Sequence, residues 1–341
     1  GFPKQFLVLP NSANKQSLLQ QAVARVNTFS GVDEVNNNIN FGPTIIITNE
    51  EYRFLVTDQL REITSNSTTV LLEPVAKNTA PALSLAALHS SHLLSTDSIL
   101  VITPADQNIE NHEVFSKALL NCIHVVEEGM NVIALLGITP KSAETGYGYI
   151  NYVGSKDLNN SYSVNCFVEK PDIKNAQNFL EDGHYFWNSG IFVLRASTWL
   201  SALQYFQSNL LHLAQQAWLN RSEDTINQYR FIRPSNKEFQ EIPCLSIDHA
   251  VIEKCPGSRF PVRVIELDAG WSDLGAWEAV WQAGRKDADK NVVSGEVMLL
   301  DSRNCLVYSS DRLVSAVGLE NIIIIDRKST RLNSSHEWIS R

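Results

Sequence analysis

The sequence has no long apolar run, no paired cysteine motif and no excess of positive charge. No stretch approaches the roughly 18 consecutive apolar residues of a membrane-spanning helix, and no secretory signal is visible, so we expect no membrane partner. The 5 cysteines are widely spaced without a C-x-x-C pair, which is typical of free thiols in a reducing cytoplasm. Lys and Arg number 28 against 37 Asp and Glu, a formal net charge of −9, and this deficit argues against a nucleic-acid-binding protein.

Apolar, β-branched runs alternate with helical periodicity through the first half of the 341 residues. Such runs predict a parallel sheet that helices cover on both faces. The predicted strands span residues 44–48, 68–72, 98–103 and 131–136, and the predicted helices span residues 17–26, 51–63, 80–94 and 114–128. Ligands bind beyond the carboxyl ends of such strands, where Glu73 and Asp106 stand, although a lone Asp at a strand end is more often a turn residue.

The second half of the chain has a different pattern, and it ends in short β runs. We predict strands at residues 164–169, 190–194 and 261–267, and helices at 173–180, 198–206, 209–218, 247–253 and 275–283. After Asp289 the short runs separated by turn residues predict a small β domain. The sequence therefore predicts an α/β domain over residues 1–285, a partial C-terminal β domain over 286–326, and a polar, aperiodic non-native tail over 327–341.

Eight short blocks occur in one order, although each alone has an ordinary explanation as a turn, a cap or a strand end. They are PKQF at 3–6, LEP at 72–74 with NTAPA at 78–82, PAD at 104–106, ETGYGYI at 144–150, FVEKP at 167–171, WNSGIF at 187–192, SID at 246–248 and GWSDLG at 270–275. Together, from about residue 2 to about residue 326, they resemble the mannose-1-phosphate guanylyltransferase family.

The resemblance implies both a fold and a reaction. The fold is a Rossmann-like α/β nucleotidyltransferase domain with a mixed, mainly parallel sheet, followed by a small β domain. The reaction transfers GMP from GTP to mannose 1-phosphate, giving pyrophosphate and GDP-mannose, a precursor of polysaccharides, with Mg²⁺ as the metal. Self-association into a homo-oligomer is also implied. Two alternatives stay open: a nucleotidyltransferase for another hexose 1-phosphate, and a non-catalytic homologue that binds nucleotide sugar.

The implied reaction needs charge neutralisation more than it needs acid–base chemistry. A phosphate monoester has a second pKa of about 6, so the nucleophile is largely dianionic at pH 7 and requires no general base. Positioning and electrostatic stabilisation dominate such transfers, and carboxylates hold a hard cation well. By the resemblance, Asp106 and Asp273 would hold Mg²⁺ and Lys4 would approach the triphosphate. These three are the implied catalytic residues.

The resemblance also implies the substrate-binding residues. Lys170 would pair with the phosphate of mannose 1-phosphate, and Glu169 would accept hydrogen bonds from sugar hydroxyls. The same side of the site would include Tyr147, Gly148, Asn188 and Gly190, whereas Glu73, Asn78 and Thr79 would border the guanine.

Two departures from the family pattern qualify these expectations. The family opens with a strand and a loop of the form G-G-x-G-[ST]-R-L-W-P-L-S-R, neither of which precedes Pro3 in this sequence. Because that loop would supply backbone amides and an arginine to the triphosphate, we expect the chain as given to be a poor catalyst or inactive. We also expect the lost strand to lower stability and favour association. Gln107 stands where many relatives have histidine, and it can form hydrogen bonds but cannot carry charge.

Overall fold

The structure of the chain is a computed structural model, which describes residues 3–8, 16–29, 41–64, 67–93, 97–275, 277–309 and 312–326. The chain forms two compact units, a larger one over Leu19–Trp271 and a smaller one that combines Gly1–Leu18 with Ser272–Arg341. The predicted non-native tail at 327–341 lies outside the described residues. No helix in the described part of the chain is long and apolar enough to cross a bilayer.

Helices and strands alternate through most of the chain. The helices are α1 (Leu18–Phe29), α2 (Arg53–Arg61), α3 (Thr79–Leu93), α4 (His112–Glu128), α5 (Ile173–Asp182), α6 (Ala196–Phe206), α7 (Ser208–Leu219), α8 (Asn236–Glu241), α9 (Ile247–Ala250) and α10 (Trp277–Ala283). The strands are β1 (Ile45–Asn49), β2 (Thr68–Glu73), β3 (Ile99–Ile102), β4 (Ile133–Ile138), β5 (Gly148–Val153), β6 (Ser161–Glu169), β7 (Tyr185–Arg195), β8 (Ser222–Ile226), β9 (Tyr229–Arg233), β10 (Val262–Glu266), β11 (Val292–Ser294), β12 (Val297–Leu300), β13 (Leu306–Ser309), β14 (Val314–Val317) and β15 (Ile323–Asp326). Short 3-10 turns lie at Lys4–Phe6, Glu50–Tyr52 and Ile252–Lys254.

The strands of the larger unit form two sheets. One has the order β1-β2-β9-β8, in which β1, β2 and β9 run parallel and β8 runs antiparallel to β9. The other has the order β3-β7-β4-β10-β6-β5, with an additional pairing between β7 and β5. In this second sheet β4 and β10 are parallel, and the other pairs are antiparallel.

The predicted mixed α/β architecture is confirmed, and the structure adds how its strands are distributed. The four strands predicted in the first half divide between the two sheets, two in each. The long antiparallel β7 pairs with both β3 and β4. An apolar run has the same composition in either direction, so the sequence alone did not show that β7 separates β3 from β4.

Helices pack on both faces of the six-stranded sheet. Alternate residues of β4 point to opposite faces, as the period of a strand requires. Ile133 and Leu135 belong to a buried cluster with residues of α3, α6 and α7, including Trp199, whereas Ala134 and Leu136 belong to a second cluster with residues of α4. β4 is therefore buried on both sides.

The smaller unit has its own core and parallel β pairs. β11, β13 and β15 form one parallel sheet, and β12 and β14 form another parallel pair. Its buried cluster includes Leu274 and Val292, with Trp277 and Trp281 packed against it. Because both tryptophans lie on α10, that helix belongs to the smaller unit, whereas the sequence-predicted domain boundary falls after it, at 285.

Candidate active site

Gly148 and Glu169 lie directly opposite each other at the ends of β5 and β6. A Cβ atom on residue 148 would lie 2.5 Å from Oε2 of Glu169 and 2.9 Å from Cζ of Phe167. The absence of a side chain at residue 148 therefore leaves room for the Glu169 carboxylate. The Glu169 side chain is 17% exposed, so its carboxylate is largely enclosed but open at one side.

Lys170 follows Glu169 directly and turns the chain sharply. Its φ of 47° is in the left-handed region, which is uncommon for a residue with a side chain, and its N–H donates to the carbonyl of Tyr147 at 3.2 Å. The Lys170 ammonium lies 3.2 Å from Oε1 of Glu169, yet its side chain is 64% exposed. The turn thus presents a partly neutralised cation beside an enclosed carboxylate. Strained residues of this kind cluster at functional sites.

Tyr147 lies in an aromatic cluster below this turn. Its ring makes edge contacts with Trp187 at 5.1 Å and with Trp271 at 5.5 Å between ring centroids. The Trp271 indole donates to Oε1 of Gln107 at 3.0 Å, and Nε2 of Gln107 donates to the Ser189 carbonyl at 2.6 Å. Gln107 therefore uses both ends of its amide to connect the loop after β3 with β7, a role that needs no charge.

Asn188 and Gly190 lie at a bulge in β7, where the register of this strand against β4 shifts. Gly190 has a φ of +72°, and Oδ1 of Asn188 accepts a hydrogen bond from its N–H at 3.0 Å. A Cβ atom at residue 190 would lie 3.3 Å from Cγ of Pro104, so this bulge lies against the loop that holds Asp106. Nδ2 of Asn188 donates to Oδ1 of Asp248 at 2.9 Å. Asn188 is thus engaged on both sides of its amide and keeps one N–H for another acceptor.

Asp248 closes the SID block at 246–248, but sequence reasoning assigned it no role. It lies in α9, after the N-cap Ser246, whose hydroxyl accepts from the His249 N–H. The pKa of Asp248 is raised to about 6, mainly by burial and to a smaller extent by the negative charge of Glu169. The signal that could have identified it is a carboxylate within one of the ordered blocks, next to a helix start.

The predicted guanine-side residues lie on β2 and at the start of α3. Asn78 has a φ of 68°, and its Oδ1 accepts from the Thr79 N–H at 2.8 Å. The Thr79 hydroxyl accepts from the Ile247 N–H at 2.9 Å. This contact joins the predicted guanine side to α9, which also holds Asp248.

Glu73 ends β2 and is only 9% exposed. Its Oε1 is buried and has no hydrogen-bond partner among the described residues, and burial raises the pKa of its carboxyl to about 7. Its register partner on β1 is Asn49, whose Oδ1 is also buried and, within the described ranges, has no hydrogen-bond partner. The two strand ends therefore place two unsatisfied acceptors next to each other. A buried acceptor of this kind costs about 1–3 kcal/mol, so donors are expected there.

Asp106 and Asp273 belong to different compact units. Asp106 lies in the larger unit, in the loop directly after β3 and next to the buried Gln107. In the smaller unit, Oδ1 of Asp273 accepts from the Gly275 N–H at 3.0 Å, and the ammonium of Lys4 donates to the Asp273 carbonyl. Lys4 and Asp273 are thus brought together. The pairing of Asp106 with Asp273 around a metal stays a prediction.

Comparison with known proteins identifies the families whose models match this chain. The family model described as "Nucleotidyl transferase" matches residues 10–290, and the model described as "MannoseP isomerase/GMP-like beta-helix domain" matches residues 295–338. Members of the first family generally use a divalent metal.

Curated relatives and a solved structure match most of the chain. A mannose-1-phosphate guanylyltransferase of Escherichia coli is 38% identical over 338 residues, which cover 98% of this chain and 67% of that protein. One from Klebsiella pneumoniae is 37% identical with the same coverage. A crystal structure from Thermus thermophilus is described as a mannose-1-phosphate geranyltransferase, and it is 24% identical to this chain with a TM-score of 0.75. The match covers 96% of this chain and 86% of the Thermus chain, and it supports the fold.

The chain spans about two thirds of the length of the curated relatives that it matches. The nucleotidyl transferase model alone covers most of the chain, and its range includes Glu73, Asp106, Gly148, Glu169 and Asp273. The predicted family resemblance is therefore confirmed, and the chain belongs to the nucleotidyl transferase family.

Proposed function

We propose that the protein transfers GMP from GTP to mannose 1-phosphate, giving GDP-mannose and pyrophosphate. The observation that supports this most is the pairing of Gly148 with Glu169, together with the exposed Lys170, which is the next residue after Glu169. An enclosed carboxylate beside an accessible ammonium suits a molecule that has hydroxyl groups at one end and a phosphate at the other. The curated relatives are named for this substrate.

The reaction forms one P–O bond and breaks another. An oxygen of the mannose 1-phosphate monoester attacks the α-phosphorus of GTP, and the bond from that phosphorus to the bridging oxygen of the β-phosphate breaks. Pyrophosphate leaves with the electron pair of that bond. Because the attacking monoester is largely dianionic at pH 7 and GTP is itself a polyanion, the two substrates must be neutralised and aligned.

The residues of the larger unit would divide this work. The Lys170 ammonium would pair with the phosphate of the sugar, and Glu169 would accept hydrogen bonds from its hydroxyls. The absent side chain at Gly148 would keep room for the Glu169 carboxylate, which would then lie beside the hexose. Tyr147 would act through packing, since its ring contacts Trp187 and Trp271.

The guanine base would be recognised at the end of β2. Glu73 offers a buried acceptor oxygen without a partner, and guanine presents two neighbouring donors, N1–H and the N2 amino group. Adenine presents an acceptor at N1, which would face the carboxylate unfavourably. Asn78 and Thr79 would border the base from the start of α3.

We propose Mg²⁺ as the metal, with Asp106 and Asp273 as ligands. Carboxylate oxygens are the donors that this hard cation prefers, so the donor set fits. Mg²⁺ would withdraw charge from the phosphate oxygens. Lys4 donates to the carbonyl of Asp273, and we propose that it approaches the triphosphate from there.

The cellular setting is also proposed. All 5 cysteines are free thiols in the structure, which supports a reducing compartment such as the cytoplasm. Association into homo-oligomers is proposed on the family resemblance alone.

A substrate panel tests the proposed function. The full-length protein is incubated with each of GTP, ATP and UTP and each of mannose, glucose and galactose 1-phosphates, and products are separated by chromatography. We expect GDP-mannose as the main product. A different main nucleotide sugar would assign another hexose 1-phosphate or nucleotide. Binding of GDP-mannose without turnover of any pair would favour the non-catalytic alternative.

A further inference from the structure

The segment Leu245–Asp248 contacts both predicted substrate regions of the larger unit. The Ala80 N–H donates to the carbonyl of Leu245 at 3.0 Å, and the Ile247 N–H donates to the Thr79 hydroxyl at 2.9 Å. The next residue along α9, Asp248, accepts from Asn188 on β7. The segment thus links the start of α3 to the bulge in β7, and Asp248 is its contact on the sugar side.

The amide orientation of Asn188 follows from its partners. An ionised carboxylate only accepts hydrogen bonds, and a backbone N–H only donates one. Nδ2 must therefore face Asp248 and Oδ1 must face Gly190, as the structure has them. Asp248 consequently fixes which atom of Asn188 faces which neighbour.

Asp248 lies close enough to a second carboxylate to be affected by its charge. Burial and the charge of Glu169 on β6 raise the pKa of Asp248 to about 6, and the charge of Glu253 acts in the same direction. Hydrogen bonds from the backbone N–H of Asp248 and from Asn188 oppose this rise. Lys170 pairs with Glu169, and the exposed His249 lies 4.0 Å from Glu253. Within the described part of the chain, Asp248 accepts a side-chain hydrogen bond from Asn188 alone, while the negative charges of Glu169 and Glu253 disfavour its ionised form.

A hexose would offset the repulsion between Asp248 and Glu169, because its neighbouring hydroxyl groups can donate hydrogen bonds to both carboxylates. Hydrogen bonds to the charged form of a carboxyl group stabilise that form. The phosphate end of the ligand would meet Lys170 instead. No cation near Asp248 is needed for such binding.

We infer that Asp248 is a further hexose-binding residue, which accepts a hydrogen bond from a sugar hydroxyl beside Glu169 and at the same time holds the amide of Asn188. The inference rests on the proposed function, since it concerns the sugar of that substrate. It assigns a second carboxylate to sugar recognition. Because Asp248 also holds Asn188, sugar binding would affect the position of Asn188 in β7. Sugar binding then favours the ionised form of Asp248 and releases a fraction of a proton near pH 6.

The test measures binding of GDP-mannose, whose phosphates carry no proton between pH 5 and pH 8, by calorimetry on the full-length protein. The variants are Asp248→Asn and, as a matched control, Asp58→Asn on the surface of α2. Asp248→Asn should weaken GDP-mannose binding at pH 7.5 by about tenfold or more, and binding of GDP by less than about twofold. Asp58→Asn should match the wild type for both ligands.

Proton release gives an independent readout. The number of protons released on binding GDP-mannose is measured by calorimetry at pH 6 in two buffers of different ionisation enthalpy. This number should be smaller for Asp248→Asn than for the wild type or the control. Asp248→Glu, which keeps the charge, serves as a second variant if Asp248→Asn does not fold. It should weaken GDP-mannose binding selectively by about threefold or more.

The outcomes separate the inference from the proposed function. Unchanged GDP-mannose affinity in the Asp248 variants, in a protein that binds GDP-mannose, overturns the inference alone. Equal losses for GDP and GDP-mannose also overturn it, because they indicate a general structural effect. A wild-type protein that binds no GDP-mannose overturns both.

Discussion

The carboxylate of Glu169 occupies the space that a Cβ atom on residue 148 would need, since such an atom would lie 2.5 Å from Oε2. Gly148→Ala should therefore displace Glu169, and the KM for mannose 1-phosphate should rise by about tenfold, the loss of one good hydrogen bond. The KM for GTP should change by less than about twofold. Steady-state kinetics of the full-length protein measures both.

Gly146→Ala is the matched control for that substitution, because nothing lies within 4 Å of a Cβ atom at residue 146. It should leave both KM values near those of the wild type. If both alanine variants behave alike, the close approach at residue 148 has no role in sugar binding.

Besides its pairing with Glu169, Lys170 would contact the phosphate of mannose 1-phosphate and would not contact GTP. Lys170→Ala should raise the KM for mannose 1-phosphate by about tenfold or more and the KM for GTP much less, because one charge-assisted contact is lost. Lys117→Ala is the control, since Lys117 is 68% exposed and pairs with Glu113 on the same helix. Equal increases in both KM values would count against the role assigned to Lys170.

Glu73 should make nucleotide binding depend on pH. Because burial raises its pKa to about 7, Glu73 gains a proton as the pH falls through 7 and loses an acceptor that guanine needs. The affinity for GDP-mannose should therefore fall from pH 8 to pH 6 more in the wild type than in Glu73→Gln, which cannot ionise. Titrations across this range check it, with Glu127→Gln as the exposed control.

The same Glu73 variant should change base selectivity. A glutamine offers one acceptor and one donor, so preference for guanine over adenine should decrease by about tenfold. Competition between GDP-mannose and ADP-mannose measures this preference. Identical pH dependence and selectivity in wild type and Glu73→Gln would refute recognition of guanine by Glu73.

His89 should make the folded state less stable in acid. Its ring is fully buried, neither ring nitrogen has a hydrogen-bond partner in the part of the chain that the structure describes, and burial lowers its pKa from 6.5 to about 4. The unfolded chain then binds more protons than the folded chain between these two pH values, so the free energy of unfolding decreases as the pH falls through this window. The full loss is up to about 3 kcal/mol.

Urea denaturation at pH 7, 5.5 and 4.5 tests this effect. His89→Leu should have a smaller decrease in the free energy of unfolding between pH 7 and pH 4.5 than the wild type. The exposed His212→Leu should retain the wild-type slope. An equal slope in all three proteins would show that His89 is not the residue responsible.

Several local features could be predicted from the sequence because their signals are local. The helix predicted at 114–128 is observed as α4 (His112–Glu128), with Asn111 as its N-cap. Gly148, Glu169 and Lys170 were named from two short blocks, and the structure brings them together across one strand pair. Strand ends and glycine turns depend on short stretches of sequence, so short blocks identify them.

Other features depend on contacts between distant parts of the chain. The bond between Asn188 and Asp248 joins positions 60 residues apart, and the neighbouring acceptors of Asn49 and Glu73 depend on the register of β1 and β2. The raised pKa values of Glu73 and Asp248 come mainly from burial, which a sequence pattern does not measure. The role of Gln107 was also visible only in the structure, since both of its partners are distant in sequence.

The central claim is that a sugar-phosphate oxygen attacks the α-phosphorus of GTP. The most direct measurement incubates the full-length protein with mannose 1-phosphate and with GTP that is labelled at either the α-phosphate or the γ-phosphate, and follows each label into the products. The Asp106→Asn variant is the inactive control. We predict that the α label appears in GDP-mannose and the γ label in pyrophosphate, at equal rates. Release of the γ label as inorganic phosphate, or an α label that never enters a nucleotide sugar, would contradict the account.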